Sequence, residues 1–158
     1  MKRKLLFVIP SLELGGAEKS LINLLKELDP RKYEIDLFLF YKQGFFLNTL
    51  PSYVNVINND SQKFSMFSQS LLKSLFVLKK KKDFKAMWHR VLFALNNKFT
   101  KNAACAEQKA WCYVKGFYPN LSQEYDVAIG YLEKSTHYFI VDNVKAKRKV
   151  GWIHTDLL

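Results

Sequence analysis

The sequence predicts an α/β fold: a Rossmann-like, doubly wound and mainly parallel sheet flanked by helices. The apolar run Leu5–Ile9 has the length and composition of a strand that is buried on both faces. The segment Ala17–Leu28 follows it with leucines at the spacing of an amphipathic helix. Further strand-like segments recur along the chain between turn signals. A strand, a turn and a helix in this order open a βαβ unit, which gives parallel strands.

The later elements continue this alternation. Apolar, β-rich segments predict strands at Glu34–Tyr41, Val54–Ile57, Asp126–Tyr131 and Arg148–His154. A short helix is predicted from Lys134 to about Asp142. Between the third and fourth strands, the chain has no proline, and no glycine before Gly116, and its pattern is helical. Three helices are predicted there, at Phe64–Lys79, Asp83–Asn97 and Asn102–Lys115. The expected organisation is one domain, residues 1–158, with a helical insertion at about 64–116.

Composition narrows the class of protein. With 49% hydrophobic and 15% aromatic residues the chain can bury a sizeable core, and its net charge of +11 favours anionic partners. Cys105 and Cys112 lie seven residues apart on one predicted helix, too far for a disulfide, so we expect buried or semi-buried thiols in a reducing compartment. The apolar run after Lys2–Lys4 is too short for a signal peptide, and no stretch is long enough to span a membrane. These features predict a soluble, cytoplasmic domain.

Gly15 and Gly16 precede the first helix. Glycines here let the backbone take positive φ and let a ligand approach the main chain. The helix start behind them leaves free N–H groups, which attract phosphate. An equally weighted alternative is a tight turn with no ligand. The dinucleotide and P-loop glycine patterns are both missing from the sequence, so NAD and P-loop chemistry are disfavoured.

The helical middle is strongly basic. Residues 71–101 contain nine cations and one anion, interleaved with aliphatic and aromatic side chains. This composition is typical of an interfacial membrane anchor, and the predicted membrane contacts are Lys79, Lys80, Lys81, Lys82, Lys85 and Trp88. An ordinary amphipathic helix pair with a solvated lysine face is the second interpretation. Nucleic-acid binding ranks last, because no base-reading motif accompanies the charge.

Two polar residues follow predicted strands near the end of the chain. Glu133 could orient an acceptor hydroxyl, or it could be an exposed charge near a helix start. His154 could stabilise charge at a reacting centre, or it could be satisfied by backbone groups. Because ligands bind at the carboxyl ends of parallel strands, we expect both residues and Gly15–Gly16 to face one crevice. His89 and His137 are interpreted as structural, and no metal-ligand spacing or cofactor signature appears, so no metal or cofactor is predicted.

Two motifs resemble the glycosyltransferase family 4 enzymes of the GT-B fold. The first is carried by Leu12, Gly15, Gly16, Ala17, Glu18, Leu21 and Leu24. The second comprises Asp126–Glu133 and Val150–Asp156, similar to family members that build bacterial surface polysaccharides. The resemblance spans residues 5 to 156, but the helical middle carries no matching motif.

The resemblance implies a retaining transfer of a sugar from a nucleotide-sugar donor to a lipid-linked or saccharide acceptor at the cytoplasmic face of the membrane. The implied architecture is two Rossmann-like domains with the active site between them. Gly15 and Gly16 would line the donor phosphates, with Glu18 of the same motif in the predicted binding set. His154 would contact the transferred sugar, and the predicted catalytic residues are His154 and Glu133.

The family's nucleotide-sugar half does not occur within residues 1–158, so the sequence corresponds to the N-terminal, acceptor-side half. One wall of the cleft would then be missing, and we expect the isolated chain to have negligible transferase turnover. The alternative function is a non-catalytic, basic α/β module that docks on anionic membranes.

Overall fold

A computed structural model describes residues 1–58, 70–80, 82–100 and 103–154. The chain divides into two compact units. The sheet unit comprises Met1–Asn59 and Asn120–Leu158, and the helical unit comprises Asp60–Pro119.

The sheet unit is built on five parallel strands. They are β1 (Arg3–Ile9), β2 (Tyr33–Leu39), β3 (Val54–Asn58), β4 (Leu121–Gly130) and β5 (Val144–Gly151), in the order β3-β2-β1-β4-β5. Helices α1 (Gly16–Glu27) and α5 (Ser135–Asn143) and a 3-10 helix (Phe45–Thr49) join them. The prediction of an α/β fold with a parallel sheet flanked by helices is confirmed, and the topology is consistent with a Rossmann-like fold. The strand order reverses between β1 and β4, which is where ligands bind in sheets of this type.

Alternation along the central strands sends side chains to two cores. Leu5, Phe7 and Ile9 of β1 pack with Leu21 and Leu25 of α1 on one face. On β2, Ile35, Leu37 and Leu39 belong to this same core, and the residues between them face the opposite side of the sheet. There the ring of Phe38 stacks on that of Phe139 from α5, with ring centroids 4.5 Å apart. Helices therefore cover both faces of the sheet, as the pattern of a strand buried on both sides predicts.

A buried carboxylate lies on β2. Asp36 is 4% exposed, and its two oxygens accept hydrogen bonds of 2.7 Å from the Tyr125 hydroxyl and the Asn55 side-chain amide. The pKa of Tyr125 is raised, chiefly by burial and then by its hydrogen bond to Asp36. Because each oxygen has a donor on a neighbouring part of the sheet, this network ties β2 to β3 and β4.

The helical unit contains α2 (Leu71–Lys80), α3 (Phe84–Phe99), α4 (Ala103–Val114) and a 3-10 turn (Lys115–Phe117). The Asp83 carboxylate caps α3 by accepting from the Ala86 backbone N–H. Helices α2 and α3 are joined by the buried Arg90, whose Nε donates to the Ser74 hydroxyl at 3.1 Å. Burial lowers the pKa of Arg90 from its usual value. Among the described residues, three helices occur where three were predicted, although residues 64–69 and 102 of those predictions lie outside that part of the chain.

Two details differ from the sequence-based expectations. Strand β5 begins at Val144, directly after α5, and ends at Gly151, so His154 lies beyond the strand rather than in it. The first four residues of β5, Val144–Lys147, were missed by the prediction. The strand lies at an exposed edge of the sheet, and its lysine-rich sequence lacks an apolar pattern.

The cysteines were also misjudged, because Cys105 and Cys112 are both exposed. They lie two helical turns apart on one face of α4, while Ala110, Trp111 and Val114 form its buried face. Within the described ranges, no helix is long and apolar enough to cross a membrane.

Candidate functional site

The ends of β4 and β5 bring Glu133 and His154 together. The chain leaves β4 at Gly130 and β5 at Gly151, and the Trp152 N–H still donates to the Gly130 carbonyl at 2.8 Å. Two residues further on, the backbone N–H of His154 donates to Oε1 of Glu133. The Glu133 carboxylate thus fixes the main chain that carries His154, while the His154 side chain stays exposed.

Tyr131 connects this pair to α1. Its N–H donates to the Val8 carbonyl at 2.9 Å, which extends the pairing with β1 by one residue, and its side chain is 1% exposed. Its hydroxyl lies 3.0 Å from the Ser20 hydroxyl, one turn into α1 after Gly16. The end of β4 is therefore joined to the first turns of the helix that the glycine loop begins. Sequence analysis did not single out Tyr131, although a tyrosine directly after a buried strand is a usable signal.

The rings of Tyr131, Trp152 and His154 form an aromatic platform. The Tyr131 ring lies 4.8 Å from that of His154 and 5.1 Å from that of Trp152. The Trp152 and His154 rings are stacked, 6.3 Å apart at 14°. Trp152 is 42% exposed, so the outer side of the platform faces solvent. An exposed imidazole next to the exposed Trp152 ring can donate a hydrogen bond to a polar ligand whose apolar face packs on that ring.

The loop between β1 and α1, which carries Gly15 and Gly16 and is called the glycine loop here, has a geometry different from the one expected. Gly15 is the N-cap of α1 in an extended conformation that any residue adopts, and neither Gly15 nor Gly16 has positive φ. The expectation of positive φ is therefore wrong. What Gly15 permits is close approach, because a side chain there would collide with the Glu18 carboxylate. A Cβ at Gly16 would have nothing within 4 Å, and Gly16 is exposed at the helix start, where the first N–H groups have no partner within the helix.

Glu18 stands in the first turn of α1, with its carboxylate folded against Gly15. A carboxylate is favourable at the positive end of a helix, and it occupies the space that a phosphate would take. Glu18 is therefore a flexible competitor for an anion at Gly15, and a phosphate there requires its side chain to rotate away.

Gly44 supports the glycine loop and was missed. It has φ +125°, and a Cβ there would collide with the backbone of Leu12 and Glu13. On either side of this contact, the Leu12 N–H donates to Gln43 O and the Phe46 N–H donates to Leu12 O, both at 3.0 Å. The loop after β2 thus braces the loop after β1, and only glycine fits at position 44.

His137 has a structural setting, in agreement with its interpretation from sequence. Its imidazole packs against the Cα positions of Gly130 and Gly151, which are register partners on β4 and β5. A side chain at either glycine would collide with this ring or its backbone. Among the described residues, nothing pairs with the buried Nε2 of His137.

The predicted membrane contacts fall on exposed faces of the helical unit. Trp88 is 63% exposed, and Lys79, Lys80, Lys82 and Lys85 are exposed, whereas Lys81 lies outside the described residues. Along α3, Phe84, Trp88, Leu95 and Phe99 are all exposed and fall within about 60° around the helix axis. We call these four side chains the α3 stripe. On α2, Leu72 and Phe76 are exposed and share a face with Lys79.

Within the described ranges, no group of three His, Cys, Asp or Glu side chains could hold a metal ion. A comparison with protein-family profiles finds no match to this chain, and neither does a comparison with curated proteins.

Proposed function

We propose that this chain is the N-terminal, acceptor-side half of a retaining glycosyltransferase of the GT-B type. It would help transfer a sugar from a nucleotide-sugar donor to a lipid-linked or saccharide acceptor in surface polysaccharide synthesis. The observation that carries the proposal is the hydrogen bond that joins Glu133 to the backbone of His154 at the carboxyl ends of β4 and β5. Both residues belong to the motif that resembles family 4 enzymes.

Each motif residue has a role that its surroundings allow. The open backbone at Gly16, at the start of α1, offers N–H groups to a donor phosphate. The exposed His154 imidazole donates a hydrogen bond to the transferred sugar, and the exposed Trp152 ring beside it packs on the sugar's apolar face. Glu133 is a positioning residue, since its carboxylate holds the His154 main chain. No cofactor, metal or nucleic acid has a role in this proposal.

The basic helical unit would hold the enzyme at the inner face of the cell membrane as a peripheral protein. The α3 stripe is an apolar face that no described residue covers. Lys85 and Lys98 are exposed on the same helix, and Lys79 and Lys80 are exposed on α2. Such a surface suits the boundary between anionic headgroups and acyl chains. A lipid-linked acceptor is embedded in the same membrane, so it would be close to an enzyme that is held there.

A transfer assay on the gene product as the cell makes it tests the proposal. Membranes that contain it are supplied with radiolabelled nucleotide sugars, and the label in the lipid extract and polysaccharide is counted. We expect His154→Ala to lower transfer about a hundredfold or more, as loss of one preorganised donor to the transition state does. Ile153→Ala is the matched control, since Ile153 is 48% exposed and its loss should leave transfer unchanged.

Gly16→Ala separates a ligand role from a folding role. Because a Cβ at Gly16 meets nothing within 4 Å, alanine should leave the unfolding free energy unchanged or raise it. It should still lower transfer, because the methyl group obstructs a phosphate at the helix start. Full transfer by Gly16→Ala and His154→Ala would contradict the proposal, and so would robust transfer by residues 1–158 alone.

A second candidate function is a non-catalytic module that docks on anionic membrane. The α3 stripe favours it, because four large apolar side chains on one exposed face need a surface to cover them. In this case Gly16→Ala and His154→Ala would leave every cellular function intact, whereas loss of the stripe would abolish it.

A further inference from the structure

A cleft of about 380 Å³ lies within the helical unit, apart from the residues discussed above as a transferase site. Its volume is in the range of small-molecule pockets. The first turns of α3 form one wall, and the end of α4 with the following 3-10 turn forms the other. The lining residues that bear on the argument are Asp83, Lys85, His89, Tyr113, Lys115 and Gly116.

The polar lining is rich in hydrogen-bond donors. Two ammonium groups, a phenol hydroxyl and an imidazole surround the space, and of the described residues that line it only Asp83 is acidic. The Asp83 carboxylate accepts from the Ala86 N–H, so its negative charge is partly engaged at the helix cap. This donor set fits a phosphate group, which presents several strong acceptor oxygens and more than one negative charge.

His89 marks the inner wall of this cleft. Its ring packs edge-on against Phe117 at 5.9 Å and Tyr113 at 6.5 Å. In the described part of the chain, its buried Nδ1 has no hydrogen-bond partner. Buried polar atoms are normally satisfied, so this nitrogen is suited to a ligand or to a water that a ligand replaces.

The position of Lys85 relates the cleft to the α3 stripe. At about 100° per residue, Phe84 and Trp88 lie on one side of Lys85 around the helix, and Ala86 and His89 lie on the other. Lys85 therefore stands at the border between an exposed apolar face and a donor-rich cleft. A molecule that fills both features has a phosphate and an apolar chain.

We propose that this cleft binds the phosphate headgroup of an anionic lipid, preferably a phosphomonoester, while the α3 stripe contacts the acyl region. The inference deepens the membrane contact proposed above and rests on it. The helical unit would then bind a phosphomonoester lipid more tightly than another anionic lipid of equal charge, which attraction between charges alone would not produce.

The test compares two kinds of phosphatidylcholine vesicle by cosedimentation. One contains phosphatidate, whose headgroup is a phosphomonoester, and the other contains phosphatidylserine at matched surface charge. We expect the chain to bind phosphatidate vesicles about tenfold more tightly. Gly116→Leu should remove this preference, because a Cβ at Gly116 meets nothing within 4 Å and a larger side chain can extend into the cleft without changing the charge.

Paired lysine variants provide the matched control. Lys85→Gln with Lys115→Gln should abolish the preference even if Gly116→Leu fails to fold. Lys79→Gln with Lys80→Gln removes the same charge outside the cleft. It should weaken binding to both vesicles, by about fivefold per lysine, and leave the ratio unchanged.

Soluble competitors identify the source of the phosphate. Dihexanoyl phosphatidate should displace the chain from phosphatidate vesicles at a concentration at least tenfold lower than inorganic phosphate. Equal potency would overturn the lipid assignment. Equal binding to both vesicle types by the unmodified chain would overturn the cleft proposal but leave membrane docking standing, and no binding to either would overturn both.

Discussion

The two units differ in how their large side chains are packed: the sheet unit has a fully buried core, whereas six large apolar side chains of the helical unit are exposed. Among the described residues, the largest side chains that are fully buried all belong to the sheet unit, including Phe7, Phe38, Tyr125, Tyr131 and Phe139. The helical unit instead exposes Leu72, Phe76, Phe84, Trp88, Leu95 and Phe99. The largest buried side chains therefore form the core of the sheet unit, whereas much of the apolar surface of the helical unit lies along its exposed helix faces.

Charge divides in the same way. The helical unit contains twelve cations and three anions, and the sheet unit contains thirteen cations and eleven anions. Nearly all of the net charge of +11 thus accompanies the exposed apolar side chains. A combination of positive charge and exposed aromatic rings indicates a surface for an anionic, partly apolar partner.

The largest expected effect is on the core of the sheet unit. Phe139→Ala removes a ring that is 0% exposed and stacks on Phe38, so we expect a loss of about 3–5 kcal/mol in unfolding free energy. Phe84→Ala makes the same substitution in the helical unit. Because Phe84 is 68% exposed, we expect the unfolding free energy to change by less than about 0.5 kcal/mol.

Hydrogen exchange at the amides of β2 and β4 measures the sheet unit by itself, and urea unfolding gives the total. If both alanine variants lost the same stability, the contrast between a core and a surface would be wrong.

A smaller effect is expected for the buried network of the sheet unit. Tyr125→Phe leaves one oxygen of Asp36 without its donor, at a cost of about 1–3 kcal/mol near pH 8. The raised pKa of Tyr125 means that its folded-state stabilisation is complete below the ordinary tyrosine pKa of about 10 and is lost as the pH rises above it.

Urea unfolding of both proteins at pH 8 and pH 11 measures this linkage. The difference between the unmodified chain and Tyr125→Phe should narrow at pH 11. Tyr53→Phe, whose hydroxyl is near the surface and donates to Leu25 O, is a control with a smaller loss at pH 8. A constant difference at both pH values would mean that Tyr125 is not held in its neutral form.

The sequence predicted the parts of the fold that depend on local pattern. The β1–α1 unit and the helical middle follow from apolar runs and turn signals, and topology predicted that Glu133 and His154 lie at the carboxyl ends of strands. The burial of Asp36 did not, because its partner Tyr125 is 89 residues away and no local pattern connects them. Gly44 was missed for the same reason, since its close contact is with Leu12 in another loop.

The surface of the helical unit was predicted by composition but not by geometry. The basic segment indicated lipid contact, yet only the exposures along α3 distinguish Trp88 from Arg90, which is 5% exposed on the opposite face. The cleft beside His89 joins residues about 25 positions apart, and helix periodicity alone does not bring them together.

The next prediction compares an exposed and a buried side chain within the helical unit, Trp88 and Leu78. Trp88→Ser should lower the affinity for anionic vesicles about tenfold and change the unfolding free energy by less than about 0.5 kcal/mol. Leu78→Ala should do the opposite, because Leu78 is 2% exposed and its loss costs about 2–5 kcal/mol. Cosedimentation and urea unfolding measure the two quantities. Unchanged vesicle binding by Trp88→Ser would remove the α3 stripe from the membrane contact.

The smallest effect concerns backbone strain. Two described residues other than glycine have positive φ, and they lie one in each unit: Lys134 at 66° and Lys82 at 55°. At Lys134, ψ is −110°, a combination that glycine adopts freely and lysine does not. Lys134→Gly should therefore raise the unfolding free energy by about 1 kcal/mol, even though glycine gains entropy in the unfolded chain.

Because Lys134 directly follows Glu133, this strain lies next to the carboxylate that holds His154. Relief of the strain should let Glu133 move, so Lys134→Gly should gain stability and lose transfer in the assay described above. Lys134→Ala removes the same charge but keeps the strain, and it should change neither quantity by much. If Lys134→Gly and Lys134→Ala had equal stability, the turn would carry no strain; if they had equal transfer, the conformation at Lys134 would have no part in positioning His154.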